Sequence, residues 1–444
     1  MKHPTPPGPA SRKSGLLGTI RNNLGFVIDP MGFVGGRFQR YGDIYFVGSD
    51  GSQPGLYVLR HPDHLQEVLV TRQRDFGKGH SAFATLSELL GEGLLTTDGE
   101  TWRRQRRLLS PAFQKKRLEG YAAVMVDEAQ IEVGRWSSAE IDVSKAMMEM
   151  TLRVVCRTLF GYDASGDTDA VSRAMHDLQA LLGRPPLPIP KAIDPGRRRL
   201  ARARRLLDDV IYPLIDSRSP GGLEDDLLQR MVDAADEDGS RLTRKEIRDQ
   251  LVTLFLAGHE TTSNALTWTF HLLGEHPEVE QALSEELDRV LAGRPPTAAD
   301  LPALDLTTRV FTESMRLYPP VYVVSRGVLR DTTIGEWPVP AGSEVVMWIW
   351  HTHRDARFWE EPWRFDPDRF LPGRAAARPK LAYVPFGAGP RACIGKVFAQ
   401  WEGVLMLATI AQRVRLRSLG GSVELSPRVT LSPAGGLKMR VERR

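Results

Sequence analysis

Cys393 lies in Phe386-Gly387-Ala388-Gly389-Pro390-Arg391-Ala392-Cys393-Ile394-Gly395, the stretch of this chain with the most chemical potential. A lone cysteine is usually a small buried hydrophobe, and Cys156, inside the apolar run 150–160, fits that description. Cys393 instead follows a glycine-rich loop and precedes a helical pattern. At a helix N-terminus, unpaired backbone N–H groups and the helix dipole favour an anionic sulfur. Arg391 adds a positive charge two residues away, and the three glycines let the backbone approach a large flat ligand closely. A thiolate so placed is a nucleophile or a metal ligand. No sequence signature of a cysteine protease accompanies it.

A second stretch sets an acid beside hydroxyls. Residues 251–273 read as an apolar core helix, yet its middle is Gly258-His259-Glu260-Thr261-Thr262-Ser263-Asn264. Polar groups there are costly unless they have partners or work. The ordinary alternatives are a solvated Glu260 and a Thr261 hydroxyl bonded back to the carbonyl of Ala257. An adjacent acid and alcohol are also suited to positioned proton transfer, and Gly258 leaves room for a small ligand. His259-Glu260 is not a zinc-protease motif, because position 263 is serine where a second histidine is required. Glu313 and Arg316 share a helix face and can bridge. Trp102 and Arg106 are four apart, so an indole N–H and a guanidinium point the same way. His351 and His353 flank Thr352, but no third metal ligand is evident.

These residues need a large scaffold. The chain has 444 residues, 41% apolar and 26% charged, the mix of a globular protein rather than a disordered or fibrous one. Length alone suggests about three domains, but no internal repeat or low-complexity linker divides the sequence. Net charge is +4, too small to argue for nucleic acid. Two cysteines make no disulfide framework, so a reducing cytoplasm is expected. The proline-rich, polar N-terminus shows no readable address, so neither a signal peptide nor a membrane anchor is expected. Residues 1–40 read as an irregular arm and 41–444 as one mainly helical domain with a minor β component. Short strands flank the turn at 49–52, and a helix opens at His61-Pro62-Asp63. Helical patterning runs from about 102 to 292, broken by the prolines at 185–190. Strand chemistry occupies 327–350, a long helix about 395–414, and a strand-like tail follows.

FGAGPRACIG resembles the haem-binding loop of the cytochrome P-450 superfamily, F-x-x-G-x-R-x-C-x-G, at every fixed position. A single axial thiolate on haem iron needs no second protein ligand. The resemblance spans roughly residue 40 to the C-terminus and implies the family's triangular, prism-like helical fold. It implies haem b (iron protoporphyrin IX) with Cys393 as the iron ligand, and Phe386 and Gly395 in the cofactor-binding loop. Ala257-Gly258-His259-Glu260-Thr261-Thr262 resembles the oxygen-activation motif, which makes Glu260 and Thr261 the catalytic acid–alcohol pair beside Ala257. Glu313, Arg316 and Arg369 match the E-x-x-R and P-E-R-F segments, whose members form a buried structural network. Asp368 stands where glutamate is usual. Trp102, Arg106, Arg326 and Arg391 match the residues that hold the haem propionates.

The implied activity is monooxygenation. Dioxygen is cleaved, and one oxygen atom hydroxylates or epoxidises a lipophilic small molecule such as a fatty acid, terpenoid or steroid. Electrons come from NAD(P)H through a separate ferredoxin or flavodoxin and its reductase, docked on the basic face of Arg103, Arg104 and Arg107. The alternatives are a peroxide-driven peroxygenase and a non-enzymatic haem-thiolate sensor. By resemblance, Phe83, Thr253, Leu254, Tyr322, Val323 and Ala434 line the substrate pocket, and the segments of Trp102 and AGHETT look most like the branch with fatty-acid hydroxylases. The expected protein is a cytoplasmic monomer without nucleic-acid partners.

Overall fold

The computed structural model describes residues 5–9, 25–48, 54–78, 86–88, 90–136, 139–162, 195–224, 226–235 and 239–444. The turn at 49–52, Phe83 and the proline break at 185–190 lie outside the described residues. The chain divides into two compact units, mainly helical with small sheets.

The first unit comprises Met1–Ala84, Arg316–Phe365 and Arg369–Cys393. Its sheet has five strands in the order Ile44–Val47, Leu56–Leu59, Glu344–Met347, Val324–Val328 and Phe76–Gly77. Leu56–Leu59 pairs in parallel with Glu344–Met347, and the other neighbours are antiparallel. β-branched and aromatic residues favour these strands. Tyr57, Leu59, Val345 and Met347 pack with Leu65, Val68 and Ile334 into one core. The His61 ring caps Pro62–Gln66 by accepting the Asp63 N–H at 3.2 Å, and the chain continues into a π-helical turn, Glu67–Thr71.

Part of the expected irregular arm is a helix, α1 (Pro30–Tyr41). The Asp29 carboxylate caps it by accepting the Gly32 N–H at 2.9 Å, and Pro30 is preset for the first turn. Met31, Val34 and Phe38, at helical spacing, are its buried stripe.

The second unit comprises Thr85–Met315, Asp366–Asp368 and Ile394–Arg444. Its helices include α2 (Gly99–Leu109), α3 (Lys115–Arg135), α4 (Val143–Phe160), α5 (Pro195–Asp216), α6 (Arg244–Glu275), α7 (Asp305–Leu317, whose last two residues belong to the first unit) and α8 (Lys396–Ala411). A capping box starts α6: Thr243 Oγ accepts the Glu246 N–H at 3.2 Å, and the Glu246 carboxylate accepts the Thr243 N–H at 2.7 Å. α4 lies against α6 at Gly258, where an added Cβ would stand 3.0 Å from Val155. α8 meets α7 at Gly403, where a Cβ would overlap the Phe311 ring. Lys438–Arg443 pairs with Val414–Ser418 and Glu140–Asp142, and Leu425–Pro427 forms a hairpin with Leu431–Pro433. Among the described residues no helix is long and apolar enough to cross a membrane.

Candidate active site

In the first unit, residues 384–393 form a loop that local rules impose. Gly387 and Gly389 have φ of +67° and +68°, the left-handed region that glycine adopts without penalty. At Gly389 a Cβ would stand 1.9 Å from the carbonyl oxygen of Leu69, in the π-helical turn. The Ala392 N–H donates to the Gly389 carbonyl at 3.0 Å, and the Cys393 N–H donates to the Phe386 carbonyl at 2.9 Å. Cys393 is exposed, whereas Cys156 is fully buried in α4, where burial pushes its thiol up to about 12. Cys393 stands two residues before Gly395, the N-cap of α8, which begins later and ends earlier than its sequence pattern suggests.

His353 supports this loop. Its Nε2 accepts the Val384 N–H at 2.8 Å, and its ring stacks on Tyr383 at 5.2 Å. That occupies a residue of the histidine pair considered above, and burial pushes His351 down to about 3. Among the described residues no cluster of histidine, cysteine or acid groups could hold a metal ion.

Arg316 is fully buried and donates to the carbonyls of His353 (3.0 Å), Pro362 (2.7 Å) and Arg364 (3.1 Å). Arg369, also buried, donates to the carbonyls of Glu360 and, at 2.9 Å, Glu361. Two guanidiniums thus satisfy the backbone of an irregular stretch that has no ladder of its own. Arg326 is buried and donates to the Ser325 carbonyl at 2.8 Å, while Arg391 and Phe386 are half-buried. Tyr322 is buried, its hydroxyl pushed up to about 12, with its ring 6.0 Å from that of Trp348; Val323 beside it is half-buried.

In the second unit, α6 presents a window. From Ile247 to Phe270 every residue is buried except Ala257, Gly258 and Thr261, which fall within about one helical turn. Thr261 Oγ1 donates to the Ala257 carbonyl at 2.8 Å, the back-bond expected of a mid-helix threonine. Glu260 is buried, and the Thr430 hydroxyl donates to its Oε1 at 2.5 Å. Asn264 Nδ2 in turn donates to Thr430 Oγ1 at 2.9 Å, so Glu260 is not the solvated residue of the ordinary alternative. His259, with Nδ1 2.5 Å from the Phe255 carbonyl, is pushed down to about 4 by burial and is neutral at pH 7. Glu402 of α8 lies fully buried beside Thr262. Burial outweighs that contact and pushes its carboxyl up to about 8.

Glu313 is fully buried and accepts the Asp366 N–H at 3.0 Å, an environment unlike that of a surface ion pair. Asp368 is exposed and pairs with Arg309. Trp102 and Arg106 are both half-buried on α2. Arg103 and Arg107 are exposed one turn apart, but Arg104 turns away to Glu246 at 2.9 Å and the Arg241 carbonyl at 3.2 Å. Thr253 is buried, its hydroxyl donating to the Asp249 carbonyl at 2.7 Å and filling the space a Cβ on Gly93 would need. Leu254 is buried, and Ala434 is exposed with its N–H on the Glu424 carbonyl at 2.8 Å. Thr430 and Asn264 complete the surroundings of Glu260, Glu402 lies beside Thr262, and the sequence reading gives none of them a role.

A family model for cytochrome P450 matches residues 33–436. The chain belongs to the cytochrome P450 family. It is 39% identical over 413 residues to cyclooctatin synthase of Streptomyces melanosporofaciens, covering 89% of this chain and 87% of that protein. Pentalenene oxygenase of Streptomyces avermitilis is 38% identical over 81% of each chain. Among solved structures, the haem domain of cytochrome P450DA superposes with a TM-score of 0.86 at 28% identity, covering 100% of this chain and 99% of that one. The P450 cofactor is haem, and the P450 reaction is monooxygenation of a lipophilic substrate with dioxygen. The donors of this chain suit that cofactor. One thiol stands exposed in a loop that only glycines can build, and one turn of an otherwise buried helix is left uncovered with only small side chains on it.

Proposed function

We propose that this P450 hydroxylates or epoxidises a cyclic terpenoid, with Cys393 as its iron ligand and Glu260 and Thr261 as its proton-handling pair. The exposed Cys393 thiol, in a loop with two left-handed glycines and no room for a side chain at Gly389, carries the reading. Bound there, haem supplies dioxygen binding and O–O cleavage, which an electron-rich sulfur favours. Trp102 and Arg106, one turn apart on α2, and the cations Arg326 and Arg391 hold its propionates by charge-assisted hydrogen bonds.

The α6 residues govern protons. Thr261 Oγ1 gives its own hydrogen to the Ala257 carbonyl, which leaves its lone pairs free to accept one at the window. Glu260 stands about 100° around the helix from Thr261, oriented by Thr430 and, through it, Asn264. A carboxyl that swings from Thr430 toward the window delivers a proton from the buried side. Positioned transfer of this kind is worth about 10²–10⁴-fold in rate.

The substrate class rests on the names of cyclooctatin synthase and pentalenene oxygenase, which favour a cyclic terpenoid over a fatty acid. Exposed Arg103 and Arg107 support a docking face for an acidic ferredoxin or flavodoxin, which brings electrons from NAD(P)H. The test is reconstitution with a ferredoxin, its NAD(P)H reductase and a panel of cyclic terpenes and fatty acids under isotopically labelled dioxygen. The expected result is a singly labelled terpene alcohol or epoxide. Turnover of fatty acids alone overturns the substrate class, and turnover only with peroxide overturns the oxygen chemistry.

A further inference from the structure

We infer that Thr430, backed by Asn264, is the positioning residue of the α6 acid: it reserves one oxygen of Glu260 as an acceptor, so that the other oxygen carries the proton. The inference rests on the reading of Glu260 as a proton-handling group. Thr430 lies in the turn between Leu425–Pro427 and Leu431–Pro433, where the Arg428 N–H donates to its carbonyl at 3.2 Å. That hairpin is seated on α6 at residues 260, 264 and 268, one turn apart. The Thr430 hydroxyl donates to Glu260 Oε1 at 2.5 Å, Asn264 Nδ2 donates to Thr430 Oγ1 at 2.9 Å, and Trp268 Nε1 donates to the Leu431 carbonyl at 3.0 Å. All four side chains of this seam, Glu260, Asn264, Trp268 and Thr430, are buried. Rigid docking of the hairpin, rather than a loop's own conformation, therefore sets where the hydroxyl meets the acid.

The direction of the chain decides its role. An amide nitrogen only donates, and a threonine hydroxyl has one hydrogen. Because Thr430 Oγ1 accepts from Asn264, its own hydrogen is committed to Glu260 Oε1. An oxygen that accepts this bond does not carry the acid's proton, so a neutral Glu260 holds its proton on Oε2. The Asn264 amide gives up no proton at neutral pH, so the chain is closed at its far end and conducts nothing. Thr430 orients the acid and does not feed it. Each swing of the carboxyl toward the window breaks this one bond, and each return remakes it. Every cycle then starts from one orientation with the proton on the same oxygen, which is the preorganisation that positioned transfer requires.

The test compares Thr430→Val, which keeps the shape and removes the hydroxyl, with Thr430→Ser, which keeps the hydroxyl. In crystal structures of the haem-loaded variants, Glu260 should be displaced in Thr430→Val and in place in Thr430→Ser. With a ferredoxin, its reductase and the panel compound that the parent oxidises, Thr430→Val should slow product formation about tenfold or more and enlarge the solvent isotope effect. The spectral shift on binding that compound should be unchanged, and Thr430→Ser should restore both rate and isotope effect. In a Glu260→Gln background, Thr430→Val should slow turnover no further. The inference is overturned if Glu260 stays in place in Thr430→Val, or if that variant turns over like the parent while Glu260→Gln is slow. Equal slowing by Thr430→Val in both backgrounds also overturns it, because the hydroxyl would then act on packing alone. A Glu260→Gln variant that turns over like the parent removes the proton role of Glu260 itself, and that of Thr430 with it.

Discussion

The glycine loop at 384–393 and the centre of α6 both leave a few atoms uncovered, and they do so by opposite means. The loop uses its own backbone: Gly387 and Gly389 take left-handed angles, Gly389 presses against the Leu69 carbonyl, and two backbone hydrogen bonds, from Ala392 and Cys393, close the turn. α6 is a regular helix buried from Ile247 to Phe270 except at Ala257, Gly258 and Thr261, and Val155 of α4 comes close even to Gly258, so its window is set by how neighbouring elements pack. A feature made by local conformation is as robust as its glycines. A feature made by what surrounds a helix depends on partners far away in sequence, here Thr430 at Glu260, Thr151, whose hydroxyl donates to the His259 carbonyl at 3.0 Å, and Glu402 beside Thr262.

The contrast breaks most severely at Gly389. Gly389→Ala forces a Cβ to within 1.9 Å of a backbone carbonyl, at a φ that alone costs about 1–2 kcal/mol. Because the loop cannot relax without moving Leu69, haem-loaded protein should drop to a small fraction of the parent's, measured by haem absorbance per protein. Normal loading in this variant would mean that the loop is not set locally.

On the helical side, Glu402→Gln should stabilise the protein. A buried carboxyl raised to about 8 stays neutral while its unfolded counterpart ionises near the ordinary glutamate value of 4.5. Its contribution to stability is therefore fully present below about 4.5 and is lost as pH rises toward 8. The glutamine variant should match the parent at the acid end and exceed it by on the order of 2–4 kcal/mol at pH 8, read from denaturant unfolding across pH. A parent whose stability does not fall over that range would show that α8 leaves Glu402 hydrated.

The smallest change in stability is expected at Thr261. Thr261→Ala removes one partly exposed back-bond, which should cost under about 1 kcal/mol. Haem content and substrate binding should hold, product per NAD(P)H consumed should fall, and hydrogen peroxide release should rise. Unchanged coupling would leave the hydroxyl with only its bond to Ala257.

Legibility followed the same division. The thiol loop was readable because glycines and a cysteine beside an arginine have few other uses together. Glu313 and Arg316 are readable as a spacing, but burial, which separates an internal group from a surface pair, depends on distant partners: the carbonyls of His353 and Arg364 for Arg316, and the Asp366 N–H for Glu313. Arg104 was grouped with Arg103 and Arg107, yet one residue is about 100° of helix, enough to turn it to Glu246. α1 was missed although Asp29-Pro30 is a capping signal, because the proline-rich stretch before it dominates the composition. Thr430 meets Glu260 across 170 residues, a contact that no local pattern announces.

The central claim, that Cys393 and not Cys156 is the iron ligand, has a direct spectroscopic test. Reduced protein under carbon monoxide is measured for the parent, Cys393→Ala and Cys156→Ala. The long-wavelength Soret band that marks thiolate ligation should be present in the parent and in Cys156→Ala, and absent in Cys393→Ala. A band retained in Cys393→Ala, or lost in a folded, haem-loaded Cys156→Ala, would contradict the assignment.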